Sequence, residues 1–114
     1  MADLPESLVA QILKLQQRLL KIINESTRLA LMIFEQFGET EATIPELDEL
    51  QNVTERATSC YTRLSRLMLQ IAESQPLATS ATLNLLTESI VQTEVIVDVC
   101  EASNRDVQRN WNLS

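Results

Sequence analysis

Three times along this chain, apolar residues recur in alternating steps of four and three. The first run is Leu8, Ile12, Leu15, Leu19, Ile22, Ser26, Leu29 and Ile33. The second is Leu47, Leu50, Thr54, Ala57, Tyr61, Leu64, Met68 and Ile71. The third is Leu83, Leu86, Ile90, Thr93, Val97, Cys100, Asn104, Val107 and Trp111. A step averaging about 3.5 residues keeps such a row on one side of an α-helix and scatters it over both faces of a strand. The pattern therefore predicts an all-α chain: three long antiparallel helices in an up-down-up bundle, over about 5–37, 44–74 and 78–110, with the heptad spacing of a coiled coil. Residues 1–114 read as one domain, a size that supports a real core.

The punctuation agrees. A single glycine, Gly38, follows the first run, where a left-handed helix cap is expected. Pro5, Pro45 and Pro76 stand where each helix would open. In "TIPE", Thr43 and Glu46 have the spacing of a capping box, with Thr43 as N-cap. Helices of this length would run roughly 45–50 Å.

One stretch tests the helical reading. "SIVQTEVIVDVCE", Ser89 to Glu101, is rich in β-branched residues and partly alternating, as strands are. Yet no comparable second strand and no hairpin glycine exist to pair it, and an unpaired strand strands its backbone groups. As a helix, it carries Ile90, Val97 and Cys100 on the core row. Val91, Val95, Val99 and Ala102 then form a second row well away from the first, and Ile96 lies on a third side. The first helix is also broad: beside its core row run Val9, Leu13, Leu20, Ile23, Ala30 and Phe34. Three helices cannot cover so much apolar circumference. The expectation is a bundle completed by oligomerisation, with Val91, Val95, Ile96, Val99, Ala102, Trp111, Leu13, Leu20 and Leu31 as interface residues. Trp111 reads equally as a partner anchor or as a cap on the bundle's end.

Charge limits the partners. The net charge is −7, and Glu39 to Glu55 holds six acids and no base. Binding to nucleic acid or to an anionic membrane needs the opposite balance. Lys14, Arg18, Lys21 and Arg28 line one polar edge of the first helix and form a candidate stripe for an acidic partner, or else a solvated, salt-bridged face.

Chemistry is scarce. There is no histidine, which removes triads and His-based metal sites. Cys60 and Cys100 both fall among apolar rows, so inert buried thiols are expected and no disulfide framework. Antiparallel packing could bring Glu46, Asp48 and Glu49 near Asp98 and Glu101, a weak divalent-cation candidate beside the simpler reading of an acidic solvated face. Ser26, Thr54, Thr93 and Asn104 interrupt the apolar rows, where polar residues can fix register and partner choice; for Ser26, Thr54 and Thr93 a hydrogen bond to their own helix backbone is the expected reading, and Asn104, near the helix end, is expected to be exposed. No catalytic residue, metal site or cofactor is assigned.

The N-terminus, "MADLPESLVA", lacks a signal-peptide layout and no apolar run is long enough to span a bilayer. A soluble intracellular protein, cytoplasmic or nuclear, is expected. Its partner would be itself, as a homodimer or higher assembly, or another helical protein. The alternative is a small-molecule or divalent-metal-binding bundle with a carboxylate site.

Overall fold

The structure is a computed structural model that describes residues 6–74 and 80–113. It is an all-α three-helix bundle: α1 spans Glu6–Phe37, α2 Ile44–Glu73 and α3 Ser80–Asn110. These bounds fall within two residues of those the spacing predicts. Pro5, Pro76 and the earliest residues proposed for the third helix lie outside the described residues. There is no strand among the described residues, and "VIVDV" is helical throughout. The rod measures 56 × 19 × 17 Å.

The three heptad rows meet along the axis. The larger cluster packs Ile12, Leu15, Leu19 and Ile22 of α1 against Val53, Ala57, Leu64, Leu67 and Ile71 of α2 and Leu86, Ile90, Val97 and Cys100 of α3. A smaller one, nearer the α1–α2 connection, joins Leu29, Ile33, Leu50, Val107 and Leu113. Full burial of such side chains stabilises the fold by about 1.5–3 kcal/mol each, before chain entropy is counted.

The polar residues on the rows find partners between helices. The hydroxyls of Ser26 and Thr54 meet at 2.6 Å, joining α1 to α2 at mid-seam. A second tie comes from Gln16, whose Nε2 donates to Ser65 Oγ at 2.8 Å. Asn104 Nδ2 reaches the Ile22 carbonyl at 3.5 Å, while its buried Oδ1 has no partner among the described residues.

Helix ends follow local chemistry. Gly38 sits at φ 72° and its N–H donates to the Phe34 carbonyl at 2.9 Å. Asn112, at φ 51°, does the same work after α3. The Leu113 N–H reaches back to Gln108 O at 2.9 Å and the Asn112 N–H to Arg109 O at 3.2 Å, a Schellman motif. It drives Leu113 into the core, a burial the sequence reading did not foresee.

The capping box is not formed. Thr43 is the N-cap of α2, but its side chain makes no cap bond to that helix. Its hydroxyl instead donates to Gly38 O at 2.7 Å and accepts the Thr40 N–H at 2.8 Å. Glu46, the other half of the expected box, accepts the indole N–H of Trp111 at 2.8 Å. Thr43 thus ties the α1–α2 connection to itself, while Glu46 serves a contact with the end of α3 that a purely local motif does not anticipate.

Candidate interaction surfaces

At about 100° per residue, the core row of α3 leaves Val91, Val95 and Val99 on nearly the opposite side of the helix. They are 58%, 60% and 49% exposed, whereas Val97, inside the same stretch, is fully buried. They form a short apolar ridge. Glu88 stands one turn before it, and Asp106 lies two turns beyond it on the same line, both exposed.

On α1, Leu13, Leu20 and Leu31 are exposed as expected, and Phe34 joins them. The bond from Gln16 to Ser65 marks the α2 side of α1; Leu13 and Leu20 stand about 40–60° further from the core row, on the outer side of the helix. Further along, Leu31 and Phe34 line a shallow groove of about 450 Å³ with Thr27 of α1 and Leu47 and Gln51 of α2. Leu69, one turn after Ser65, and Ile44, two turns before Gln51, continue the α2 side, and both are exposed. Sequence reasoning read Phe34 within the broad face of the first helix without naming it as an interface residue, and missed Ile44 and Leu69 as surface residues. Their offset from the core row was readable; which neighbour lay beside that offset was not.

Three of the expected interface residues have partners inside the chain. Ile96 is half-buried against the main core. Ala102 is half-buried beside the α2–α3 groove that Glu46 and Glu49 share with Asp106. Trp111 closes the end of the bundle: it packs on the smaller cluster, bonds Glu46, and stands against Phe37 with ring centroids 5.2 Å apart at 58°.

The basic stripe does not act as four like charges in a row. Arg18 pairs across helices with Glu101 at 2.7 Å and Asp98 at 3.0 Å. The Glu101 hydrogen bond raises the guanidinium pKa; desolvation opposes this and the Asp98 bond adds to it. Arg28 is held by Glu25 at 2.7 Å. Lys14 and Lys21 remain exposed.

The same pairing separates the acids. Asp98 and Glu101 face α1, while Glu46 and Glu49 border the opposite side of α3 with Asp106. The two carboxylate sets therefore do not meet. Among the described residues, no group of three or more His, Cys, Asp or Glu side chains could hold a metal ion.

Both cysteines are free. Desolvation pushes each thiol pKa up; at Cys60, Thr93 and then Arg56 and Arg63 partly oppose it, and at Cys100 Arg56 does. A raised pKa reduces the thiolate available at neutral pH, and the thiolate is the reactive form. Among the described residues, no helix is long and apolar enough to cross a membrane. Comparison with protein-family models, with curated proteins and with solved structures gives no match.

Proposed function

We propose that this chain is a non-catalytic interaction or scaffold subunit that self-associates or joins a larger complex through the apolar faces of α1 and α3. The observation that carries this reading is the ridge of Val91, Val95 and Val99, 49–60% exposed on the side of α3 turned from the core. Contiguous apolar surface of a few hundred Å² on a small protein is typical of an interaction site. Leu13, Leu20 and Leu31, each between 53% and 56% exposed, extend the apolar surface to α1. The chemistry points the same way: with no histidine in the sequence and two thiols held toward the protonated form, the side chains offer structure rather than turnover.

Light scattering on the purified chain, paired with binding of an apolar fluorescent dye, tests this. Support is a mass above the 12.9 kDa of one chain, or a single chain that binds dye and loses that binding on Val95→Glu or Leu20→Glu. A single chain that binds no dye at any concentration would overturn the reading.

A further inference from the structure

We infer that the seam between α1 and α3 holds a binding site for a small hydroxylated anion, a phosphate or carboxylate that carries its own hydroxyl. The site goes beyond the interaction reading and is separate from the valine ridge, none of whose three valines lines it.

The first observation is where the seam stops being bonded. α1 and α3 run parallel, and their cross-links keep one offset: Gln11 with Glu94, then Arg18 with Glu101, 83 residues apart each time. One heptad further on, that offset sets Glu25 against Gln108, and no bond closes this rung among the described residues. Glu25 turns back along its own helix to Arg28 at 2.7 Å. The helices are left with a cleft of about 330 Å³ there, walled by Lys21 and Glu25 of α1 and by Glu101, Asn104, Arg105 and Gln108 of α3. Small-molecule sites begin at about this size.

The second observation is Asn104, on the cleft's floor. It is 3% exposed, although its place near the helix end suggests a surface residue. Its amide is only half used. Nδ2 reaches the Ile22 carbonyl at a long 3.5 Å, and Oδ1 has no partner among the described residues. A buried acceptor left bare costs stability, and an apolar residue at this heptad position would avoid that cost. The oxygen calls for a donor from whatever fills the cleft.

The third observation is charge. Lys21 and Arg105 stand exposed on the two walls, and neither makes an ion pair among the described residues. The carboxylates beside them are already engaged, Glu101 by two N–H groups of Arg18 and Glu25 by Arg28. The unspent charge at the mouth is therefore positive, on a chain whose net charge is −7. The planar fork of an arginine matches phosphate and carboxylate oxygens, and a lysine adds a point charge. A water would satisfy Oδ1 alone. An anion between Lys21 and Arg105 whose hydroxyl donates to Asn104 satisfies all three groups at once.

The experiment is an NMR titration of the full chain, following the Asn104 side-chain amide, with four probes. Glycerol phosphate and glycerate carry both anion and hydroxyl, sulfate only the anion, and glycerol only the hydroxyl. At least one of the first two is expected to bind with a dissociation constant of about a millimolar or below, and about tenfold tighter than sulfate or glycerol. Which of the two binds tells phosphate from carboxylate. Asn104→Leu should weaken that binding about tenfold while raising the melting temperature, because it removes the bare acceptor. Lys21→Gln and Arg105→Gln should each weaken it about threefold, and Lys14→Gln, at an exposed lysine outside the cleft, should leave it unchanged. Binding that survives Asn104→Leu, or sulfate held as tightly as both hydroxylated probes, overturns the inference, since charge alone then holds the anion. An Asn104 amide that no probe shifts at tens of millimolar overturns it too, the cleft then holding only water. Arg105 is exposed, so Arg105→Gln keeps the fold and decides the point if Asn104→Leu does not fold: wild-type affinity in that variant overturns the inference.

Discussion

Val95 and Val97 are two residues apart on one helix, yet the first is 60% exposed and the second fully buried. The inner face of α3 and its outer ridge both use valine. What separates them is the angle at which a 3.6-residue turn presents each position. Residue type alone thus says little about which valines hold the fold and which await something else. Substitutions should have opposite outcomes on the two faces.

The largest contrast comes from a charge. Val97→Asp buries a carboxylate among Leu, Ile and Cys side chains, and is expected to lower stability by several kcal/mol, enough to unfold a domain of this size. Val95→Asp should stay within about 0.5 kcal/mol of the wild type in urea unfolding below the association range. Equal losses at the two positions would show that α3 is buried all round.

Cavities come next. Leu64→Ala empties a fully buried site and should cost about 2–5 kcal/mol. Leu69→Ala, on the outer side of α2, should cost under about 1 kcal/mol in the monomer. Thermal melts of the pair at low concentration would sharpen the inside–outside distinction for α2.

The contrast is subtler for polar groups. Ser26 and Thr27 are adjacent hydroxyls that both reach the Ile23 carbonyl, but only Ser26 is buried and also meets Thr54. Ser26→Ala should cost about 1 kcal/mol, and Thr27→Ala almost nothing. A double-mutant cycle between Ser26 and Thr54 should return a coupling of similar size.

The smallest effect concerns pH. Burial raises the folded-state pKa of Cys60 and Cys100 above the unfolded value. Folding therefore favours the protonated thiols; their contribution is complete below an unfolded pKa of about 8.5 and is lost as pH climbs through the folded one. Stability should decline on the alkaline side, and a Cys60→Ala, Cys100→Ala chain should decline less. An identical slope would mean the thiols are no drier than in the unfolded chain.

The fold was readable because an unbroken 4-3 step over eight or nine positions admits few alternatives, while Gly38 marks where α1 stops and Pro45 where α2 begins. The exposure of the valine ridge followed from the same arithmetic. What was not readable depended on which helix lay on which side. Antiparallel packing could have brought Asp98 and Glu101 beside the start of α2, but the bundle turns them toward Arg18. Thr43 and Glu46 matched a local motif, yet Gly38 and Trp111 competed for them successfully. Leu113 was passed over because its burial is set by a backbone turn at Asn112 rather than by a repeat.

A heptad rod has a hazard of its own: it resembles itself after each seven residues, about 10 Å of axial travel. Sliding α1 along α2 by that amount would still seat apolar knobs in apolar gaps. One such slide sets Ser26 against Leu47 and Gln16 against Thr58, the other Ser26 against Tyr61 and Gln16 against Ala72, so neither keeps both of the ties seen at Thr54 and Ser65. Two hydrophilic notches on an otherwise greasy seam thus behave like the teeth of a vernier, and only one alignment engages both.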